Sequence, residues 1–200
     1  MKVLIIIAIA IVSQISVAKD LSCLLQQHKE WLKPSDTCPA DVISMRNDDI
    51  DYIEGLCDSK IEECLKRCSS GNGESCYNLA LTLQAEKYKK FVQYSEALFL
   101  KSCQLGSISG CTNRAAGMQI YIGKESLDCA VRTYEKSCEL DDPWSCTMYG
   151  YHLATGKGIT KNLKKSLNVF KKSCRYGKDD PACQRATEFS KQIKSALENR

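Results

Sequence analysis

The chain has 200 residues, 13 of them cysteine, with 44% hydrophobic and 26% charged residues and a formal net charge of +4. That balance excludes a disordered chain and a membrane-embedded one, and the charge is too mild to point to nucleic acid. Cysteine at this density points to an oxidising compartment, and an odd count leaves at least one thiol over or paired with another chain.

From the N-terminus, Lys2 precedes an apolar run from Val3 to Val12, and Ser16-Val17-Ala18 offers small residues before Lys19-Asp20. This is the pattern of a secretory signal peptide over residues 1–18, cut after Ala18, and the run is shorter than the roughly 20 apolar residues of a spanning helix. The remaining chain is therefore expected to be secreted or periplasmic, with no transmembrane span.

Residues 19–57 do not follow the period seen later and are expected to form an N-terminal helical cap. Leu21 to Lys33 and Asp41 to Leu56 have the character of two helices, broken by Pro34-Ser35-Asp36-Thr37-Cys38-Pro39, with Asp41 as a cap. In such a hairpin Cys23 lies near Cys57 and Cys38 finds Cys64, one of the three connectivities open to four cysteines.

Residues 58–200 are periodic. The steps Lys66-Arg67-Cys68, Lys101-Ser102-Cys103, Lys136-Ser137-Cys138 and Lys172-Ser173-Cys174 recur every 35, 35 and 36 residues. Cys76, Cys111 and Cys146 follow eight positions on, and Cys183 follows nine positions on.

Four residues before a first cysteine stands Phe99, Tyr134 or Phe170, with Ser95, Ala130 or Ser166 a turn earlier. Four residues after each second cysteine stands Ala80, Ala115, Gly150 or Thr187. Aromatic and small residues at helical spacing predict helices, and a small residue lets two axes approach. Gly156-Lys157-Gly158 supplies a turn, while Pro143 and Pro181 lead into helices. The expected fold is all-α, with about four antiparallel helix pairs and the last as a C-terminal cap.

One cysteine ending a helix and the next opening its partner predicts four staples: Cys68 with Cys76, Cys103 with Cys111, Cys138 with Cys146, and Cys174 with Cys183. Each closes a loop of seven or eight residues and removes about 2.5 kcal/mol of denatured-chain entropy. Cys129, at a helix position matched by Tyr94 and Lys165 and facing solvent, is expected to be the odd thiol.

The third repeat, Cys146-Thr-Met-Tyr-Gly150-Tyr-His-Leu-Ala-Thr-Gly156-Lys-Gly158-Ile-Thr-Lys-Asn162, resembles the Sel1-like repeat signature. With its cysteine spacing the chain resembles the Helicobacter cysteine-rich protein (Hcp) family over about Ile61 to Leu197. Tyr149 stands where Leu is usual and Asn162 where Asp is usual. The first repeat lacks its turn glycines between Gln84 and Lys90, and the second has a shortened turn around Gly123. The resemblance implies a right-handed alpha-alpha solenoid of Sel1-like (TPR-like) pairs stapled by disulfides. It also implies penicillin binding with weak beta-lactamase activity.

The residues for that activity do not assemble in the sequence. Ser-x-x-Lys occurs at Ser16 to Lys19, across the signal cleavage site, and neither Ser-Asp-Asn nor Lys-Thr-Gly is present. A zinc hydrolase needs several histidines, and the chain has two, His28 and His152. Without a Cys-x-x-Cys there is no thioredoxin-type motif, so no cofactor and no metal is expected.

A binding module for a protein, a peptide or a peptidoglycan-like envelope ligand is the first reading, as a monomer and without nucleic acid. Its candidate contact row is Asn78, Asn113 and Arg185, each two residues after a second cysteine, with Tyr151 and His152. These positions are expected to face outward or into a concave groove. Asp41 to Glu63 carries eight acidic residues, whereas Pro143 to Lys178 carries Lys157, Lys161, Lys164, Lys165, Lys171, Lys172, Arg175 and Lys178 and no acid. The basic run is either a solvated face or a contact for an acidic partner.

Overall fold

The computed structural model describes residues 21–33, 36–43 and 57–198. The expected signal peptide, most of the helix expected over Asp41 to Leu56, and the acidic residues Asp48, Asp49, Asp51 and Glu54 lie outside the described residues.

Eight helices carry the periodic region: α1 (Ile61–Ser69), α2 (Gly73–Gln84), α3 (Val92–Gln104), α4 (Ile108–Tyr121), α5 (Leu127–Glu139), α6 (Pro143–Thr155), α7 (Leu163–Lys172) and α8 (Pro181–Glu198). Each packs on the next in sequence, and α8 also packs on α6. The fold is all-α among the described residues, a stack of helix pairs.

The link inside a pair is tighter than the cysteine spacing implies. The cysteines lie within the helices, and only residues 70–72, 105–107 and 140–142 intervene between α1 and α2, α3 and α4, and α5 and α6. Three residues after the first cysteine the chain turns left-handed, at Gly71 (φ 91°), Gly106 (φ 100°), Asp141 (φ 64°) and Gly177 (φ 100°). Glycine adopts this conformation without a Cβ penalty, and an aspartate tolerates it better than most other residues.

The next N–H then bonds back five residues, Asn72 to Arg67, Ser107 to Ser102 and Asp142 to Ser137, at 3.0, 3.0 and 3.1 Å. That residue caps the following helix. Asn72 Oδ1 accepts from Ser75 N at 2.7 Å, Ser107 Oγ from Gly110 N at 3.1 Å and Asp142 Oδ1 from Ser145 N at 2.7 Å. A helix stop and a helix start are thus compressed into one turn.

Across this turn the disulfides join Cys68–Cys76, Cys103–Cys111 and Cys138–Cys146, with Cα separations of 4.7, 4.6 and 4.6 Å, and Cys174–Cys183 spans the longer link before α8.

Between pairs, the small residue and the aromatic meet. Phe99 and Tyr134 are fully buried, and a Cβ on Gly150 would stand 2.5 Å from Phe170 Cε1. At two of these crossings a serine donates to a carbonyl of the facing helix, Ser95 Oγ to Ala80 O at 2.8 Å and Ser166 Oγ to Gly150 O at 2.7 Å. Such a bond satisfies a buried hydroxyl where two backbones come close. Where the turn glycines are missing or the turn is shortened, short 3-10 segments connect the pairs, Glu86–Phe91 before α3 and, after Gly123, Lys124–Ser126 before α5.

Residues 21–26 are helical, the chain then tightens into a 3-10 turn over Lys29–Leu32, and Pro39–Val42 forms one short turn of helix. The pairing expected for Cys23, Cys38, Cys57 and Cys64 is corrected. Cys57 bonds Cys64, seven residues on, Cys38 bonds Cys129 across 91 residues, and Cys23 is the free, exposed cysteine.

Cys129 is therefore not the odd thiol. It belongs to a stripe on α5, with Arg132, Thr133 and Lys136, on which residues 38–42 dock. Thr133 Oγ1 accepts from Ala40 N at 3.1 Å, Lys136 Nζ donates to Ala40 O at 2.7 Å, and Arg132 pairs with Asp41 at 2.7 Å.

Candidate binding groove

A groove of about 470 Å³ opens across α2, α4 and α6. Tyr77 and Leu81 line it from α2, Asn113 and Ala116 from α4, and Trp144 and Met148 from α6. Tyr77 and Leu81 stand one and five residues after Cys76, one helical turn apart, so they share a face. Trp144 and Met148 share a face of α6 for the same reason, and Trp144 is 47% exposed.

Two polar networks hold the walls. Asn113 Nδ2 donates to Tyr77 Oη at 3.3 Å and to Ser109 O at 2.9 Å, fixing the ring against the amide and leaving the amide carbonyl with acceptor capacity. Under the opposite wall, the Asp142 carboxylate is buried. It takes Thr112 Oγ1 at 3.0 Å and Ser109 Oγ at 3.2 Å besides its cap bond.

Burial pushes the Asp142 carboxyl above the ordinary range, and these hydrogen bonds pull it back. The network joins α4 to the start of α6 and so positions Trp144. Tyr134 closes the floor. Its hydroxyl accepts from Gln119 Nε2 at 2.8 Å, and burial holds the phenol far above its usual value.

The expected contact row does not assemble. Asn113 lies in the groove. Asn78 is covered, its Nδ2 bonded to Glu74 O at 3.0 Å, because Leu21, Leu25 and Cys57 join Leu79 and Leu83 in one core at that end. His152 is also buried, because the α6–α7 connection folds back on it: Lys157 O meets His152 Nδ1 and Leu153 O accepts from Asn162 N, both at 2.8 Å. Burial lowers the His152 pKa, so the ring is neutral.

Tyr151 lines a separate hollow of about 230 Å³ with Phe189, Ile193 and Leu197. Arg185 is exposed and occupied with Glu188 at 2.9 Å. The groove residues Tyr77, Trp144 and Met148 lie outside that row; their signal in the sequence is an aromatic directly after Cys76 and another at the first turn of α6.

All eight basic side chains of the Lys157 to Lys178 run are exposed. Three are engaged, Lys157 with Tyr151 Oη at 3.1 Å, Lys165 with Tyr149 Oη at 2.6 Å and Glu135 at 3.2 Å, and Arg175 with Asp141 at 4.0 Å. Among the described residues no cluster of three or more His, Cys, Asp or Glu side chains could hold a metal ion, and no helix is long and apolar enough to cross a membrane.

No protein-family model and no curated protein matches the chain. Among solved structures the chain is similar to Helicobacter pylori cysteine rich protein B, with 29% identity over 66% of this chain and 96% of that chain, at a TM-score of 0.46.

Proposed function

We propose that the protein is an exported binding module that takes a protein or peptide segment across α2, α4 and α6. The observation that carries this is the groove itself, in which Tyr77, Trp144, Met148 and Leu81 offer apolar contact beside the acceptor of Asn113. Exposed aromatics held by neighbouring packing are the residues on which binding energy concentrates. Extracytoplasmic placement, secreted or periplasmic, is supported by six disulfides, a usage that reducing compartments disfavour. The same proposal includes a leader over residues 1–18, an N-terminal cap to residue 57, repeats from residue 58, and a monomer.

Selection of peptides from a random library on the oxidised protein tests the groove. Binders are expected to lose about 2 kcal/mol, or roughly thirtyfold, on Trp144→Ala or Tyr77→Ala and to ignore Arg185→Ala. Binders indifferent to both aromatics would overturn the assignment. Nitrocefin turnover that follows the protein through two orthogonal columns would favour the hydrolase implied by the family resemblance.

A further inference from the structure

One of the six disulfides, Cys38–Cys129, differs from the other five in how it is packed. Both cysteines of the first three ladder staples and of Cys57–Cys64 are buried, and Cys183 is buried beside a half-buried Cys174. Cys38 and Cys129 are both half-buried, so packing closes off neither residue. Thiol–disulfide exchange needs access to one sulfur and a second sulfur that can leave as a thiolate.

The Cys38 sulfur has a cationic donor. Arg132 Nη2 stands 3.6 Å from Cys38 Sγ, while Nη1 and Nε of the same guanidinium hold Asp41 and Asp128 at 2.7 and 3.0 Å. Lys136, one turn along α5, is bound to Ala40 O. A guanidinium N–H on a sulfur favours the thiolate, and a more stable thiolate leaves faster.

Little else holds the segment. Ala40 donates its N–H to Thr133 and accepts from Lys136, and Pro39 O lies 3.9 Å from Cys103 Sγ. The Arg132–Asp41 pair is exposed, at 44% and 57%, and the buried residues of the turn are Pro39 and Ala40, both small. Two hydrogen bonds, a solvent-screened ion pair and two small side chains do not offset the entropy of ordering residues 38–42. A ladder staple is different, because its caps and backbone bonds keep two opened thiols facing each other across one turn, where they reclose.

We propose that Cys38–Cys129 is a redox latch, opened by an external dithiol while the ladder stays closed, and that opening it releases residues 38–42 from α5. A thiolate of the dithiol attacks Cys129 Sγ, the S–S bond breaks, and its electron pair leaves on Cys38 beside Arg132. The second thiol of the reductant then displaces Cys129 from the mixed disulfide. The dithiol ends as a disulfide, its two electrons have passed to the protein, and its two protons end on Cys38 and Cys129. The latch is separate from the α2–α4–α6 groove.

In the full oxidised chain, Cys23 is first capped with N-ethylmaleimide, so that every later thiol comes from an opened disulfide. Pulses of dithiothreitol in native buffer are followed by iodoacetamide and peptide mass spectrometry. Cys38 and Cys129 are expected to be labelled at least about tenfold faster than any ladder cysteine, with far-UV CD unchanged. The Ala40 N–H is expected to lose its protection from hydrogen exchange at the same time.

Arg132→Gln is expected to slow the opening about three- to tenfold, the share of one charge-assisted hydrogen bond. Asp41→Asn, which breaks the same ion pair but keeps the guanidinium, is expected not to slow it. Equal or earlier opening of a ladder staple, Cys174–Cys183 included, would overturn the proposal. So would an Ala40 amide that stays protected in the opened protein, or opening of the Arg132→Gln variant at the unaltered rate.

Discussion

The helix pairs and the segment before them use the same residue in opposite ways. From α1 to α8 each staple closes a turn that caps and backbone bonds already define, between cysteines eight or nine residues apart. Before α1, residues 38–42 have one short turn of helix and are held on α5 by Cys38–Cys129, separated by 91 residues. In the chain-entropy model a closed loop of this length is worth about 4.6 kcal/mol, against about 2.6 kcal/mol for each short one. Many small constraints on a regular stack thus stand against one large constraint on an irregular strap.

The largest test removes the distinction. Full reduction is expected to abolish the cooperative far-UV CD melt, since the short staples together approach the whole stability of an ordinary domain. A reduced protein that melts as the oxidised one does would mean that helix packing alone suffices.

Next comes the comparison itself. Cys38→Ser with Cys129→Ser is expected to destabilise by about 4 to 5 kcal/mol, and Cys103→Ser with Cys111→Ser by about 2 to 3 kcal/mol, by urea denaturation. Limited proteolysis of the first variant should cut near residues 38–42 while the helix pairs persist. The reverse order of cost would show that burial of Cys103 and Cys111, both fully buried, outweighs loop length.

Within the stack, Gly150→Ala drives a methyl group into Phe170 and is expected to cost about 1 to 3 kcal/mol. The equivalent positions Ala80 and Ala115 already carry that methyl.

The smallest effect is a pH dependence. Burial holds the His152 pKa below its ordinary value of 6.5, so below that value the unfolded chain takes up the proton before the folded one does. Stability is therefore fully present above about pH 6.5 and falls as the pH is lowered through that value. Urea midpoints from pH 7.5 to about 5.5 should show the decline, and His152→Gln should flatten it.

The stack was legible because its information is local and repeated: an aromatic four residues before one cysteine and a small residue four after the next define two helices and their crossing. The N-terminal segment offered no such repetition. Outside the ladder Cys38 had three nearer cysteines in Cys57, Cys64 and Cys23, and nothing in the sequence marks the stripe of Cys129, Arg132, Thr133 and Lys136 as the place where another segment docks. The candidate site fell between these cases. Asn113 was visible as a position, but Asn78 and His152 hold equally polar positions that a neighbouring segment and a returning loop bury, and one-helix periodicity carries no record of what lies on top.

The long disulfide also sets an order of assembly. In a chain that emerges N-terminus first, Cys38 must pass over six intervening cysteines, from Cys57 to Cys111, before its partner exists. Those six find partners within seven or eight residues. Short loops close fastest, so they are spoken for early. The bond between Cys38 and Cys129 is then expected to form last. A trapped intermediate with a finished stack and two free thiols, besides Cys23, would be the signature of that maturation step.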